Sequence, residues 1–230
     1  MLTLAEQGSI LRTMLEKPLF DRRAERRKST TVEIIDAAWD LARTEGLAGL
    51  SLRDLSRRVG MQAPSLYSYF ESKNHIFDTM FAQGARAFVD GQALTASTGD
   101  PLGDIQAGVR FFVGFCTENP VRYQLMFQRT IPGFEPTPES LAIAVQGLQG
   151  IQSRLAEAGI RNSRSIDLLT ALGTGLADQQ ISNDPGGDRW VRLVDEAVEM
   201  FFHHAVAQEA RRPGRASRTV TTATKVRTRS

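Results

Sequence analysis

The chain has a single cysteine, Cys116, in 230 residues. A lone thiol excludes an internal disulfide framework and a multi-cysteine zinc site. It follows the apolar run 111–115, which suits a buried, inert thiol better than a redox sensor. No stretch reaches the ~18 consecutive apolar residues of a membrane span, so no membrane partner is expected. Histidine is scarce: His75 stands alone, and His203 and His204 are adjacent. Neighbours on a helix point about 100° apart, so that pair cannot share a metal ion. There is no glycine-rich phosphate loop, no nucleophile motif and no metal-ligand spacing. These absences argue against an enzyme and imply no cofactor and no metal. Excess charge is lacking too. The net charge is +2, so any nucleic-acid surface must be local. Glu6, Gln7 and Arg12 interrupt the apolar core that a secretory signal needs, and a cytoplasmic protein is expected.

What is present is an ordinary globular composition, 41% hydrophobic and 23% charged, enough for one or two domains. Its most informative stretch runs from Leu50 to Lys73. Ser51 suits a helix N-cap, and Asp54 lies where a capping-box partner would reach back. Leu52, Leu55 and Val59 recur at helical spacing. Gly60 tolerates the left-handed backbone of a sharp reversal. Pro64 suits the first turn of a second helix, whose inner face is Leu66 and Phe70. Two short helices around a tight turn make a helix-turn-helix. Most such pairs only pack. Here the outer positions carry Gln62, Ser65, Tyr67, Ser68 and Tyr69 instead of the Glu/Lys mix of a solvated face. Arg53, Arg57, Arg58 and Lys73 crowd the same segment.

From Thr31 to Phe77 the chain resembles the N-terminal DNA-binding domain of the TetR family of transcriptional regulators. The resemblance rests on Ile35, Ala37, Ala38 and Leu41, then Gly46, Ser51, Leu52 and Leu55. It continues through Val59-Gly60-Met61, Ala63-Pro64-Ser65-Leu66-Tyr67, Tyr69-Phe70, Ser72-Lys73 and Ile76. It covers about a fifth of the chain. Ser56 departs from the family's usual alanine, a change that a helical carbonyl can satisfy. The implied fold is all-α: an N-terminal three-helix DNA-binding domain, then a C-terminal helical bundle for ligand binding and dimerisation. The implied function is a homodimeric repressor, released from an inverted-repeat operator by a small-molecule effector. An activator or a ligand-independent regulator would use the same fold. An all-helical enzyme with an incidental helix-turn-helix is the reading from another class.

The resemblance also assigns roles by position. Gln62, Ala63, Pro64 and Ser65 open the helix that enters the major groove, and Arg53 matches a position that can reach a base edge. Ser51, Tyr67, Tyr69 and Lys73 match positions that grip phosphates. Lys73 in a first helical turn opposes the helix dipole, which makes sense if that end faces a phosphate.

The expected organisation has four parts. Residues 1–29 form an extension with one possible helix around Ile10, Leu11, Met14 and Leu15. Its basic run, Arg22 to Lys28, is either a frayed, solvated arm or a flexible arm on DNA. Residues 30–90 form the DNA-binding domain, its first helix capped by Thr30 or Thr31 and closed by Gly46. Residues 91–209 form the C-terminal domain, reached through a Gly/Ser/Thr/Pro-rich linker over 91–103. Its helices are expected at 104–118, 121–128, 139–158, 163–182 and 188–209. Residues 210–230 are a basic tail, too poor in apolar side chains to order itself. Aromatics exceed a minimal core in the C-terminal half. Most suit ordinary packing, but Phe112, Phe115, Tyr123 and Phe127, with Asp178 and Gln179, form a candidate ligand pocket. Small residues near Gly173 and the apolar stripe of the last helix suit a four-helix contact across a two-fold axis.

Overall fold

A computed structural model of the chain describes residues 22–211. The anticipated helix around Ile10 and the basic tail beyond Arg211 lie outside the described residues. Among those described, the chain is helical with no strand. In chain order the helices are α1 (Arg22–Gly49), α2 (Leu52–Arg58), α3 (Ala63–Tyr67), α4 (Lys73–Ala93) and α5 (Pro101–Glu118). Then follow α6 (Pro120–Phe127), α7 (Pro138–Glu157), α8 (Ser163–Asn183), a 3-10 turn (Val191–Leu193) and α9 (Val194–Ala210).

The chain forms two compact units. The first takes in residues 22–94 and 115–148, the second residues 95–114 and 149–211. This differs from a division at the 91–103 segment. The segment 115–148 joins the helix-turn-helix because its apolar side chains pack there. Leu125 is a member of the same core as Leu55, Leu66 and Phe77. Phe77 meets Phe134 edge-on at 5.6 Å, and Phe88 meets Phe115 at 5.1 Å. Asp78 on α4 accepts hydrogen bonds from Thr137 N–H at 2.7 Å and Ser140 Oγ at 2.9 Å, which pins the start of α7.

Helix α1 begins earlier than the sequence suggests. The basic run is its first two turns, not a frayed arm, and neither Thr30 nor Thr31 is an N-cap. Arginine, lysine and alanine favour helix, and no glycine or proline intervenes before Gly46. Thr31 Oγ1 instead donates back to the Arg27 carbonyl at 2.9 Å. Gly46, at φ +75°, breaks the helical backbone where expected. The inner face of α1 is Ile34, Ile35, Ala38, Leu41 and Ala42, all buried.

In the second unit, α8 and α9 pack together, with Leu169, Ala177, Val194, Val198 and Phe201 inside. The last helix starts later than its apolar period suggests. Buried Gln180 provides the reason. Its Oε1 accepts from Trp190 N–H at 2.8 Å and Val191 N–H at 3.3 Å, and its Nε2 donates to Asp184. These bonds hold residues 184–191 as a folded turn instead of a helical one. The Arg189 N–H and the Gln180 amide also hold the Asp184 carboxyl below its ordinary range. Its contribution to stability is therefore present above about pH 3.8 and fades as pH falls through the lower folded-state value.

Gln180→Leu fills similar space but leaves these half-buried partners without the amide. An orphaned buried group costs about 1–3 kcal/mol, so Tm should fall by several degrees. Thermal unfolding followed by circular dichroism measures this. An unchanged Tm would show that water serves the turn as well as the amide.

The 95–100 segment, expected as a linker, is tied into the second unit. Ser97 and Thr98 hydroxyls donate to Asp104 at 2.7 and 2.8 Å, and Arg154 donates to the Thr95 carbonyl at 3.3 Å. No described helix is long and apolar enough to cross a membrane.

Candidate nucleic-acid interface

The helix-turn-helix is assembled by local chemistry. Ser51 caps α2, its Oγ accepting from Asp54 N–H at 3.1 Å. The reciprocal half of the capping box differs from expectation. The short Asp54 carboxylate accepts from the Ser51 hydroxyl, not from its backbone N–H. Gly60, at φ +67°, makes the reversal, and Met61 N–H returns to the Ser56 carbonyl at 2.8 Å. Ser56 is buried, and its hydroxyl donates to the Arg53 carbonyl at 2.9 Å, as a helical serine can. Leu55, Leu66 and Phe70 are buried in the core, and Leu52 packs against it half-buried. The short helix α3 is thus held from beneath by Leu66 and Phe70.

Its outer face is open. Gln62, Pro64, Ser65 and Tyr67 are exposed, Tyr67 at 53%, with Ala63 half-buried between them. Gln62 is the N-cap residue by backbone conformation, but its amide makes no capping bond. The three arginines of α2 are used differently. Arg57 pairs with Asp54 at 3.2 Å and Arg58 with Asp40 at 3.3 Å. Arg43 and Arg58 together hold the Asp40 carboxyl below its usual range. Arg53 is exposed and pairs with no carboxylate among the described residues. Arg53, Gln62, Ser65 and Tyr67 therefore present uncommitted donors and acceptors on a stiff support.

Tyr69 and Lys73 are half-buried and already engaged. The Arg27 guanidinium lies over the Tyr69 ring at 4.9 Å. Lys73 Nζ donates to the Ala48 carbonyl at 3.2 Å and sits 5.3 Å above the Phe77 ring. This accounts for a lysine at the start of α4: its charge serves the carbonyl end of α1, where a cation is favoured. Ser72 caps α4, its Oγ accepting from His75 N–H at 3.1 Å.

The residues proposed for a ligand pocket are distributed over both units. Phe115, Tyr123 and Phe127 belong to the first, where Phe88 contacts Phe115 and Phe127 edge-on. Phe112, Asp178 and Gln179 belong to the second. There the Phe112 ring covers Gly173. Gln179 is exposed and accepts from Asn183 at 2.7 Å. The buried amide is the neighbouring Gln180. One helical residue turns a side chain by about 100°, and the apolar period around 178–180 is too weak to say which of the three points inward. Cys116 is buried, while all three histidines are exposed. No cluster of metal-ligating side chains occurs among the described residues.

Residues 34–80 match the family model described as bacterial regulatory proteins, tetR family. Among curated proteins, the chain is 25% identical over 183 residues to the HTH-type transcriptional regulator Rv1816 of Mycobacterium tuberculosis. That alignment covers 74% of this chain and 76% of the relative. Among solved structures, regulatory protein SCO4313 superposes with a TM-score of 0.65 at 20% identity, over 77% of this chain and 97% of that one. The regulator FadR of Bacillus subtilis, solved in complex with stearoyl-CoA, gives a TM-score of 0.55 at 14% identity. It covers 74% of this chain and 97% of FadR.

Proposed function

We propose that the chain, whose residues 34–80 match the family model of bacterial regulatory proteins, tetR family, is a DNA-binding transcriptional regulator of that family and not an enzyme: a cytoplasmic homodimeric repressor that leaves an inverted-repeat operator when a small molecule binds. The observation that carries this reading is the exposed face formed by Arg53, Gln62, Ser65 and Tyr67. The side chains of this polar set pair with no group among the described residues and stand on a helix pair anchored by Leu55, Leu66 and Phe70. A duplex satisfies such a set, with base edges for Arg53, Gln62 and Ser65 and a phosphate for Tyr67; Ser51, Tyr69 and Lys73, each engaged within the chain, reach phosphates by sharing or exchanging those contacts. Exposed Leu168, Met200 and Val206 on α8 and α9 support self-association.

Ligand control rests on more general support. FadR was solved with an acyl-CoA, and ligands of helical bundles sit between helices. Helix α7 belongs to both units, and its first turn is bonded to Asp78 on α4. A ligand held by the second unit thus has a covalent route toward the helix-turn-helix. It acts only through its difference in affinity for the DNA-bound and unbound forms.

Selection of duplexes from a randomised pool by the full chain tests the DNA reading. An inverted repeat should emerge, with half-site centres about 10–10.5 base pairs or a multiple apart. Arg53→Ala should relax one base pair in each half-site, an arginine–guanine contact being worth ~1–3 kcal/mol of discrimination. A uniform loss over all positions would instead place Arg53 on phosphate. Enrichment of a single, unrepeated site would sink the dimeric reading.

A further inference from the structure

We propose that the first two turns of α1 are a second DNA-binding element, a rigid basic helix that grips the phosphate backbone flanking each half-site. This rests on the DNA-binding reading above and adds a surface to it. Arg22, Arg23, Arg26 and Arg27 fall within an arc of about 140° at 100° per residue, with Glu25 and Lys28 on the other side. Arg22 and Arg26 are four residues apart, as are Arg23 and Arg27. Such like-charge pairs destabilise a helix by ~0.2–0.5 kcal/mol each, and an anion docked on that face offsets the repulsion. Together with Ser68 and Tyr69 these arginines line an open cleft of about 600 Å³, and no carboxylate lines it.

The cleft is held in a fixed place. Arg27 donates to the Ser68 carbonyl at 2.6 Å and stacks over the Tyr69 ring. Ser68 and Tyr69 directly follow α3, the helix assigned to the major groove. The basic face is therefore continuous with the candidate interface. Arg27 is the positioning residue, and Arg22, Arg23 and Arg26 stand exposed beside it. Eight helical residues span about 12 Å, which matches roughly three successive phosphates of one strand. Phosphate contacts carry no sequence information, so this element should add affinity and register but no base preference.

The test uses the full chain and duplexes enriched by the wild-type protein from a randomised pool. Each is made in two forms, one ending at the half-sites and one extended by natural-length flanks. Binding is followed by fluorescence anisotropy against salt. Replacing Arg22, Arg23 and Arg26 together by alanine should make the slope of log K against log salt shallower by about 0.9 for each phosphate no longer neutralised. It should also abolish the wild-type advantage of the flanked duplex and leave the enriched sequence unaltered. Lysine at the three positions should keep most of the slope, because charge and not fork geometry is needed. Arg27→Ala should lose the flank advantage too, while Arg27→Lys should restore part of it. An alanine triple variant with the wild-type slope on flanked DNA overturns the inference while leaving the helix-turn-helix reading intact. A wild-type protein that enriches no sequence removes the DNA reading first, and this inference with it.

Discussion

Phe77→Ala should be severely destabilising, by about 3–5 kcal/mol, because it opens a cavity at the centre of the first unit. Phe77 is 1% exposed and shares one core with Ile34, Leu55, Leu66 and Phe70. Phe134 closes one side edge-on at 5.6 Å, and Lys73 Nζ caps another at 5.3 Å. Collapse is hindered because α1 and α4, which frame the site, are long helices with several other buried side chains. Native domains hold only about 5–15 kcal/mol in reserve, so a loss of this size consumes a fifth or more of it. Tm should fall by roughly 6–20 °C. Half-buried Phe134→Ala should cost clearly less. Denaturant unfolding measures both through the midpoint at constant m-value. Equal midpoints for wild type and Phe77→Ala would mean that the core repacks around the gap and that Phe77 is not its keystone.

Operator affinity should collapse with salt. Among the groups assigned to phosphates, Lys73, Arg22, Arg23 and Arg26 are cations, which in a two-fold dimer neutralise about eight phosphates. At ~0.9 per neutralised phosphate the slope of log K against log salt is near −7, a loss of about ten-thousandfold between 50 and 200 mM. The hydroxyls of Ser51, Tyr67 and Tyr69 are neutral and add affinity without steepening the slope. A slope near −3 would leave at most half of the four cations on phosphate. Lys73 would then be the first to drop, since the Ala48 carbonyl already holds it. Tyr67→Phe removes one neutral hydroxyl per protomer and should weaken binding to all sequences alike with the slope unchanged.

The helix-turn-helix was legible in the sequence because its determinants act over a few residues. Ser51 caps a helix whose first N–H groups are three residues away, and Gly60 takes a backbone angle that a side chain resists. The buried spacing of Leu55, Leu66 and Phe70 is a property of the helical repeat. The same logic identified α1, closed by Gly46. It failed at the start of α1, where Thr30 and Thr31 look like caps. A threonine's hydroxyl can equally bond one turn back, and the preceding arginines extend the helix readily.

What the sequence alone determined is therefore the all-α class, the reversal at Gly60 and which side chains of α2 and α3 point into the core. Each follows from backbone propensity and a period of 3.6 residues, which need no distant partner. Only the tertiary structure decided which polar groups are already spent. Arg27 reaches Ser68 across 41 residues, Lys73 reaches Ala48 across 25, and Asp78 holds Thr137 across 59. It also placed the segment 115–148 with the helix-turn-helix, and chose Gln180 over Gln179 as the buried amide. These outcomes depend on how helices far apart in the chain pack and rotate against one another. A local period fixes the face of one helix but not the neighbour that covers it.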